Sequence, residues 1–175
     1  VERCKIAGIR PVLITGDHLK TAESIAREAH ILSIGEKGMT GADLDDVPDE
    51  LLGMAVDRCQ VFARVSPAHK LKIVRALKNQ GHIVAMTGNG VNAAPALKEA
   101  AVGVAMGKTG TDIARESSSM VLLDDNFSTI VRAIEEGRAI YDNIRKFIRY
   151  MLSCNLGEVI TMTLSGILGF PIPLT

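Results

Sequence analysis

Residues 83–95 read Ile-Val-Ala-Met-Thr-Gly-Asn-Gly-Val-Asn-Ala-Ala-Pro. The apolar run Ile83–Met86 ends in a turn rich in Gly and Asn, the pattern of a buried strand leading into a loop. In open α/β sheets, ligands bind just past the carboxyl ends of such strands. Gly88 and Gly90 permit a sharp turn and leave backbone N–H groups accessible to an anion. The stretch has the form of a phosphate- and metal-handling loop. It nevertheless lacks the carboxylates that a hard cation favours.

The flanking sequence supplies the sheet. Apolar runs at Pro11–Ile14, Val61–Val65, Val102–Met106 and Met120–Leu123 read as strands. Between them lie helical patterns at 19–29, 51–59, 67–79, a short segment ending at Ala100, and 112–117. Pro67 stands at the favoured first helical position and Gly81 ends that helix. Residues 33–50, rich in Gly and Asp, predict a short strand or an excursion loop. Strand alternating with helix predicts an α/β fold with a mostly parallel sheet.

The rules change after Asn126. Ile130, Ala133, Ile134, Ile140, Ile144, Phe147 and Ile148 recur at helical spacing. The helix carries Arg145, Lys146 and Arg149 and then enters 150–169, where Glu158 is the one charged residue. Twenty helical residues span about 30 Å, the thickness of a bilayer core. A basic cluster just before the run has the character of a cytoplasmic flank. The alternative is a buried core helix of a soluble protein. Within the run, Asn155 and Glu158 are three apart and share a helical face. An ionisable residue there reads as functional, and a carboxylate beside an amide oxygen suits a hard cation such as Ca²⁺.

Composition narrows the classes. Twenty basic residues balance twenty acidic ones, so there is no basic excess for nucleic acid. Three scattered cysteines, Cys4, Cys59 and Cys154, form no CxxC pair and point to a reducing compartment. The chain opens on Val1 without a signal-peptide pattern and stops after an apolar run, which suggests a piece of a longer polypeptide. The histidines, His18, His30, His69 and His82, read as surface residues.

Six segments then occur in order: Thr15-Gly16-Asp17, Ser66-Pro67-Ala68-His69-Lys70, Met86-Thr87-Gly88-Asn89-Gly90-Val91-Asn92, Asp124-Asp125-Asn126-Phe127, Glu135-Glu136-Gly137-Arg138 and Asn155-Leu156-Gly157-Glu158. As an ordered set covering nearly the whole chain, they resemble the P-type cation-transporting ATPases of the calcium-pump group. The resemblance implies part of a phosphorylation domain with the haloacid-dehalogenase Rossmann-like fold at 1–125. A stalk helix would follow at 126–149, then a transmembrane helix at 150–170 and the start of an extracytoplasmic loop at 171–175. Residues 1–149 would lie on the cytoplasmic side of a membrane.

The resemblance also assigns roles. Thr15 and Gly16 would hold phosphoryl oxygens, with Asp17 near the nucleotide, and Lys70 would neutralise charge at the reacting phosphoryl group. Asn92 would reach phosphate. Asn155 and Glu158 would bind the transported cation, Ca²⁺, and the long helix would couple motion of the phosphorylation domain to them. Partners would be the lipid bilayer and the remaining domains of a pump. ATP and Mg²⁺ would be required by the full-length protein. The family's phosphorylated Asp, in Asp-Lys-Thr-Gly-Thr, has no counterpart here, because Lys108-Thr109-Gly110-Thr111 follows Gly107.

Two positions depart from the pattern Thr-Gly-Asp-Gly-Val-Asn-Asp: Asn89 and Ala93 stand at the acidic positions that serve the Mg²⁺ site. The isolated chain is therefore expected to be inactive. Two further readings remain beside the pump fragment, a non-catalytic pseudoenzyme-like membrane module and a soluble phosphatase of the haloacid-dehalogenase type.

Overall fold

In the computed structural model, residues 1–169 are described. The chain divides into two compact units, one over Val1–Phe127 and a second beginning at Ser128.

The first unit starts with α1 (Glu2–Ile6). Gly8, at φ 74°, turns the chain away from it. β1 (Leu13–Ile14), α2 (Leu19–Glu28), β2 (Met39–Thr40), α3 (Gly41–Asp46), α4 (Asp49–Arg58) and β3 (Val61–Ala63) follow. α5 (Pro67–Asn79) leads to β4 (Ala85–Gly88), a 3-10 turn (Val91–Ala93) and α6 (Ala94–Glu99). β5 (Val102–Met106), α7 (Asp112–Glu116) and β6 (Met120–Leu122) complete the unit. The expected α/β class with parallel strands is what the chain adopts.

The strands form two parallel sheets of three, in the orders β1-β3-β2 and β4-β5-β6. β3 is central to the first, pairing Leu13 with Val61 on one side and Met39 with Phe62 on the other. All three of its residues are buried, as a central strand covered on both faces must be. Ile14 and Val84 each pack against two apolar clusters, one around Phe62, Ile73 and Leu77 and one around Met86, Ala96 and Leu97. The two sheets thus share core contacts without a ladder between them.

Three local expectations are corrected. The strand expected over Ile83–Met86 lies at Ala85–Gly88, and Ile83 is 89% exposed. Its register is set by β5, where Ala85 pairs with Val102 and Gly88 with Ala105, so pairing begins two residues later than the apolar run suggests. The excursion at 33–50 contains a strand and also a helix, α3. Its start is fixed by a reciprocal capping box: the Asp43 N–H donates to Thr40 Oγ1 and the Thr40 N–H donates to Asp43 Oδ2. His69 is no free surface residue either, as described below.

The described part of the second unit is formed by one helix, α8 (Phe127–Leu168), of 42 residues, which starts at the last residue of the first unit. Among the described residues it is the one helix long and apolar enough to cross a membrane, and none of its most apolar window is buried. It runs unbroken past Gly137 and Gly157, and ends where Gly169 takes φ 70°. Within it, the hydroxyls of Ser153, Thr161 and Thr163 donate to the carbonyls four residues back, which satisfies them without water. The loop expected over 171–175 and the last residue of the expected span lie outside the described residues.

Candidate functional site

Parallel strands carry their carboxyl ends to one edge of a sheet, and the chain's Gly-rich turns sit there. After β1 comes Thr15-Gly16-Asp17. The Thr15 hydroxyl donates to Asp17 Oδ2 at 2.8 Å, while the Asp17 N–H donates back to Thr15 Oγ1 at 3.1 Å. This closed turn is held by the backbone after β3: the Arg64 N–H donates to the Asp17 carbonyl at 3.0 Å and the Val65 N–H to the Thr15 carbonyl at 3.3 Å. Arg64 takes φ 51° to make that reach, a strained conformation for a residue with a Cβ. Among the described residues the Gly16 N–H has no partner, and nothing lies within 4 Å of where a Cβ would sit on Gly16. One exposed backbone donor therefore faces open space beside a hydroxyl and a carboxylate.

The same β3 loop leads into α5. Ser66 caps that helix and Pro67 opens it. Lys70 begins the regular ladder, its N–H donating to the Ser66 carbonyl at 3.1 Å. The Lys70 side chain is half-buried and makes no hydrogen bond or ion pair among the described residues. Thr15, Gly16, Asp17 and Lys70 are thus brought to one end of the first sheet through backbone bonds. The helix N-terminus adds its partial positive charge there.

The second sheet presents the other candidates. Asn89 follows β4 and is exposed, and its side chain has no partner among the described residues. Its carbonyl accepts the Thr111 N–H at 2.8 Å, which ties the loop after β4 to the loop after β5. Asn92, in the 3-10 turn, is also exposed. Ala93 is 4% exposed and belongs to the apolar cluster around Leu97. A Cβ on Gly88 would collide with the Ala93 methyl group, so only glycine fits at 88 while Ala93 packs there. No hydrogen bond among the described residues joins the Thr15 turn to the Asn89 loop.

The loop after β5 is fixed from two sides. Arg115 donates to the Gly107 carbonyl at 2.7 Å and to the Gly110 carbonyl at 3.0 Å, and pairs with Asp112. The Asp125 carboxylate accepts the N–H groups of Lys108 and Thr109 at 2.9 and 2.8 Å. Desolvation pushes the Asp125 carboxyl up. The N–H groups of Lys108, Thr109 and Gly107, with the Thr109 hydroxyl, outweigh it and hold the carboxyl below the ordinary range. Sequence reasoning passed over this anchor; the left-handed Asp125, at φ 54°, is the kind of position Asp tolerates better than most residues.

The donor set does not fit a resident Mg²⁺. A hard divalent cation needs anionic oxygen. Asn89 offers a neutral carbonyl oxygen and Ala93 a buried methyl group, and the Asp17 carboxylate is engaged by Thr15. Among the described residues no group of three or more His, Cys, Asp and Glu side chains is placed to hold a metal. Asn155 and Glu158 lie on α8, exposed along the helix surface. At about 100° per residue they are about 60° apart around its axis.

This arrangement, with strand-end turns carrying hydroxyl, free amide and lysine, belongs to a known class. Residues 1–101 match the family of haloacid dehalogenase-like hydrolases, and the chain belongs to that family. Over 174 residues, 99% of its length, the chain is 55% identical to the calcium-transporting ATPase of Bacillus subtilis (strain 168). It is 56% identical over 174 residues to calcium-transporting ATPase 1 of Bacillus cereus (strain ATCC 10987 / NRS 248). The chain spans 20% of the length of each of these relatives. Among solved structures it is similar to the catalytic domain of the CPx-ATPase CopB-B, with a TM-score of 0.57 and 26% identity, covering 76% of this chain and 42% of that one.

Proposed function

We propose that the chain is a segment of an ATP-driven cation pump of the P type, with Ca²⁺ as the transported ion. One observation carries the reading. A haloacid dehalogenase-like unit and an apolar helix bearing Asn155 and Glu158 occur in one chain, and 99% of that chain matches calcium-transporting ATPases. In this reading the domain boundaries are 1–125, 126–149 and 150–170. The first 149 residues lie on the cytoplasmic side, and the last helix crosses the bilayer.

Thr15 and the free Gly16 N–H hold phosphoryl oxygens, Asp17 faces the nucleotide and Lys70 offsets charge in the transition state. Asn92 adds an amide to the same phosphoryl group. Asn155 and Glu158 supply neutral and anionic oxygen to the transported cation. A helix without a break between Phe127 and Leu168 is the element through which phosphorylation and ion release would communicate.

The non-catalytic reading is favoured for the chain as it stands by Asn89 and the buried Ala93. The 175 residues also hold no Asp-Lys-Thr-Gly-Thr segment to accept a phosphoryl group. The experiment is phosphoenzyme formation from labelled ATP in a full-length pump carrying this segment, against the same pump with Asn89→Asp and Ala93→Asp. The expected result is a gain of about 100-fold or more in the double variant. Equal phosphorylation of the two would overturn the claim that the corner is disabled. Ca²⁺ uptake by vesicles containing the restored pump, abolished by Glu158→Gln, tests the ion site. Uptake of Na⁺ instead would overturn the choice of Ca²⁺. Solubility of the 175-residue chain without detergent would support the soluble phosphatase.

A further inference from the structure

His69 lies one residue before Lys70, and both of its ring nitrogens are engaged. Nδ1 is 3.1 Å from the Ser66 backbone nitrogen, whose N–H donates to it. Nε2 is 2.9 Å from Asp45 Oδ2 on α3. A nitrogen that accepts an N–H carries no proton of its own, so the ring is the neutral tautomer with its hydrogen on Nε2, donated to Asp45. The His69 N–H in turn donates to Ser66 Oγ at 3.2 Å. The imidazole thus replaces the usual Glu or Gln of a capping box, and unlike those side chains it has a second nitrogen free to hold another element.

The surroundings are shaped to the ring. A Cβ on Gly41 would collide with Nδ1 and Cε1 of His69 and lie 2.7 Å from the Arg64 carbonyl. Glycine at the first residue of α3 therefore lets the ring lie against the backbone. A second rung runs parallel to the first: Lys72 Nζ donates to the Leu44 carbonyl at 3.2 Å and lies 3.9 Å from Asp45 Oδ1. Arg64, whose carbonyl abuts Gly41, also holds the Asp17 carbonyl. The side chain of His69 is 18% exposed and that of Asp45 58%, so the ring is sheltered while the carboxylate is screened by water.

We infer that His69 is a positioning residue, a strut between α5 and α3 that fixes the N-terminus of α5, and with it Lys70. Loss of the Nδ1 acceptor leaves the Ser66 N–H without its bond and breaks one half of the capping box. The charged groups facing the ring are Asp45 from α3 and Lys72 from α5. The inference that this matters for chemistry rests on the reading of Lys70 given above; the strut itself does not.

The test uses the full 175-residue chain in detergent micelles, with ¹⁵N-labelled histidine. Ring ¹⁵N shifts are expected to show His69 as a single Nε2–H tautomer at about pH 8. His69→Ala is expected to lower the exchange protection factor of the Ser66 amide about tenfold, the loss of one hydrogen bond. His69→Gln, which keeps a capping acceptor, is expected to retain that protection. A ring sampling both tautomers, or Ser66 protection unchanged in His69→Ala, overturns the strut.

In a phosphorylation-competent pump, His69→Ala is expected to lower kcat about tenfold with KM for ATP unchanged, and His69→Gln to restore it. If Ser66 protection behaves as expected but Lys70→Ala leaves turnover intact, the strut stands and the phosphoryl-site reading falls.

Discussion

The Thr-Gly pairs at the ends of β1 and β4 do different work with the same two letters. In Thr15-Gly16-Asp17 the hydroxyl and carboxylate bond each other, and Gly16 is open on every side. In Thr87-Gly88-Asn89 the Thr hydroxyl and the Asn amide have no side-chain partner among the described residues, and a Cβ on Gly88 would meet the methyl group of Ala93. In the proposed reading, glycine serves the approach of a ligand in the first turn, whereas in the second it serves packing. The first turn is then a site with a scaffold behind it, and the second a scaffold that lacks the site's charges.

The contrast can be broken at several points. The largest expected effect is on chemistry at the first turn. In a phosphorylation-competent pump, Lys70→Ala is expected to slow phosphoenzyme formation about 100- to 1000-fold, the size of effect of removing one fixed electrostatic stabiliser. Rapid-quench measurement with labelled ATP checks it, and a loss under about threefold would remove Lys70 from the site.

Next is Ala93. Because it is buried among Val74, Met86 and Leu97, Ala93→Asp in the 175-residue chain is expected to cost about 3 kcal/mol, from a carboxylate placed without a partner. Urea unfolding in micelles measures it. A neutral outcome would mean the turn opens to let the carboxylate reach solvent. Asn89→Asp, at an exposed position, is expected to change stability by less than about 0.5 kcal/mol, so the two missing carboxylates are not equivalent in the fold.

Gly88→Ala and Gly16→Ala then give the comparison in its simplest form. The first is expected to cost about 2 kcal/mol by overpacking. The second is expected to leave the unfolding midpoint within about 0.5 kcal/mol of wild type while weakening nucleotide-dependent phosphorylation. Equal destabilisation by the two would erase the distinction.

The smallest effect concerns the loop beside the second turn. Asp125 has a lowered folded pKa, so its contribution to stability is fully present above the free-Asp value of about 3.9 and is lost as pH falls through the lower folded value. Asp125→Asn is expected to flatten the acid limb of the stability profile. An unchanged limb would mean the N–H groups of Lys108 and Thr109 find water instead.

Much of this architecture is legible in the letters. Pro67 and Gly81 bracket α5, and the run Val102–Met106 is β5 to the residue, because Pro geometry and a buried apolar run act locally. The misses are non-local. Ile83 reads as strand but is exposed, since β4 takes its register from β5, where Ala85 pairs with Val102. α3 was hidden because Gly-Ala-Asp-Leu-Asp-Asp has weak helix propensity, although Thr40 and Asp43 carried a capping signal. His69 reads as surface until α3 is placed against it; its position three residues after Ser66 was the one hint available. At Asn89 and Ala93 the letters show lost carboxylates but not that one position is open and the other packed.

The divided sheet has a consequence for handling the protein. Among the described residues β1, β2, β4 and β6 each bond a strand on one side only, so the first unit carries four strand edges that pair with no further strand. Flanks of this kind recruit any extended segment that can pair with them. The chain should behave as an acceptor of strands, from its own kind at high concentration or from a longer polypeptide that supplies the right one. Light scattering that rises with concentration and is suppressed by an added β-forming peptide would reveal it, and concentration-independent scattering would rule it out.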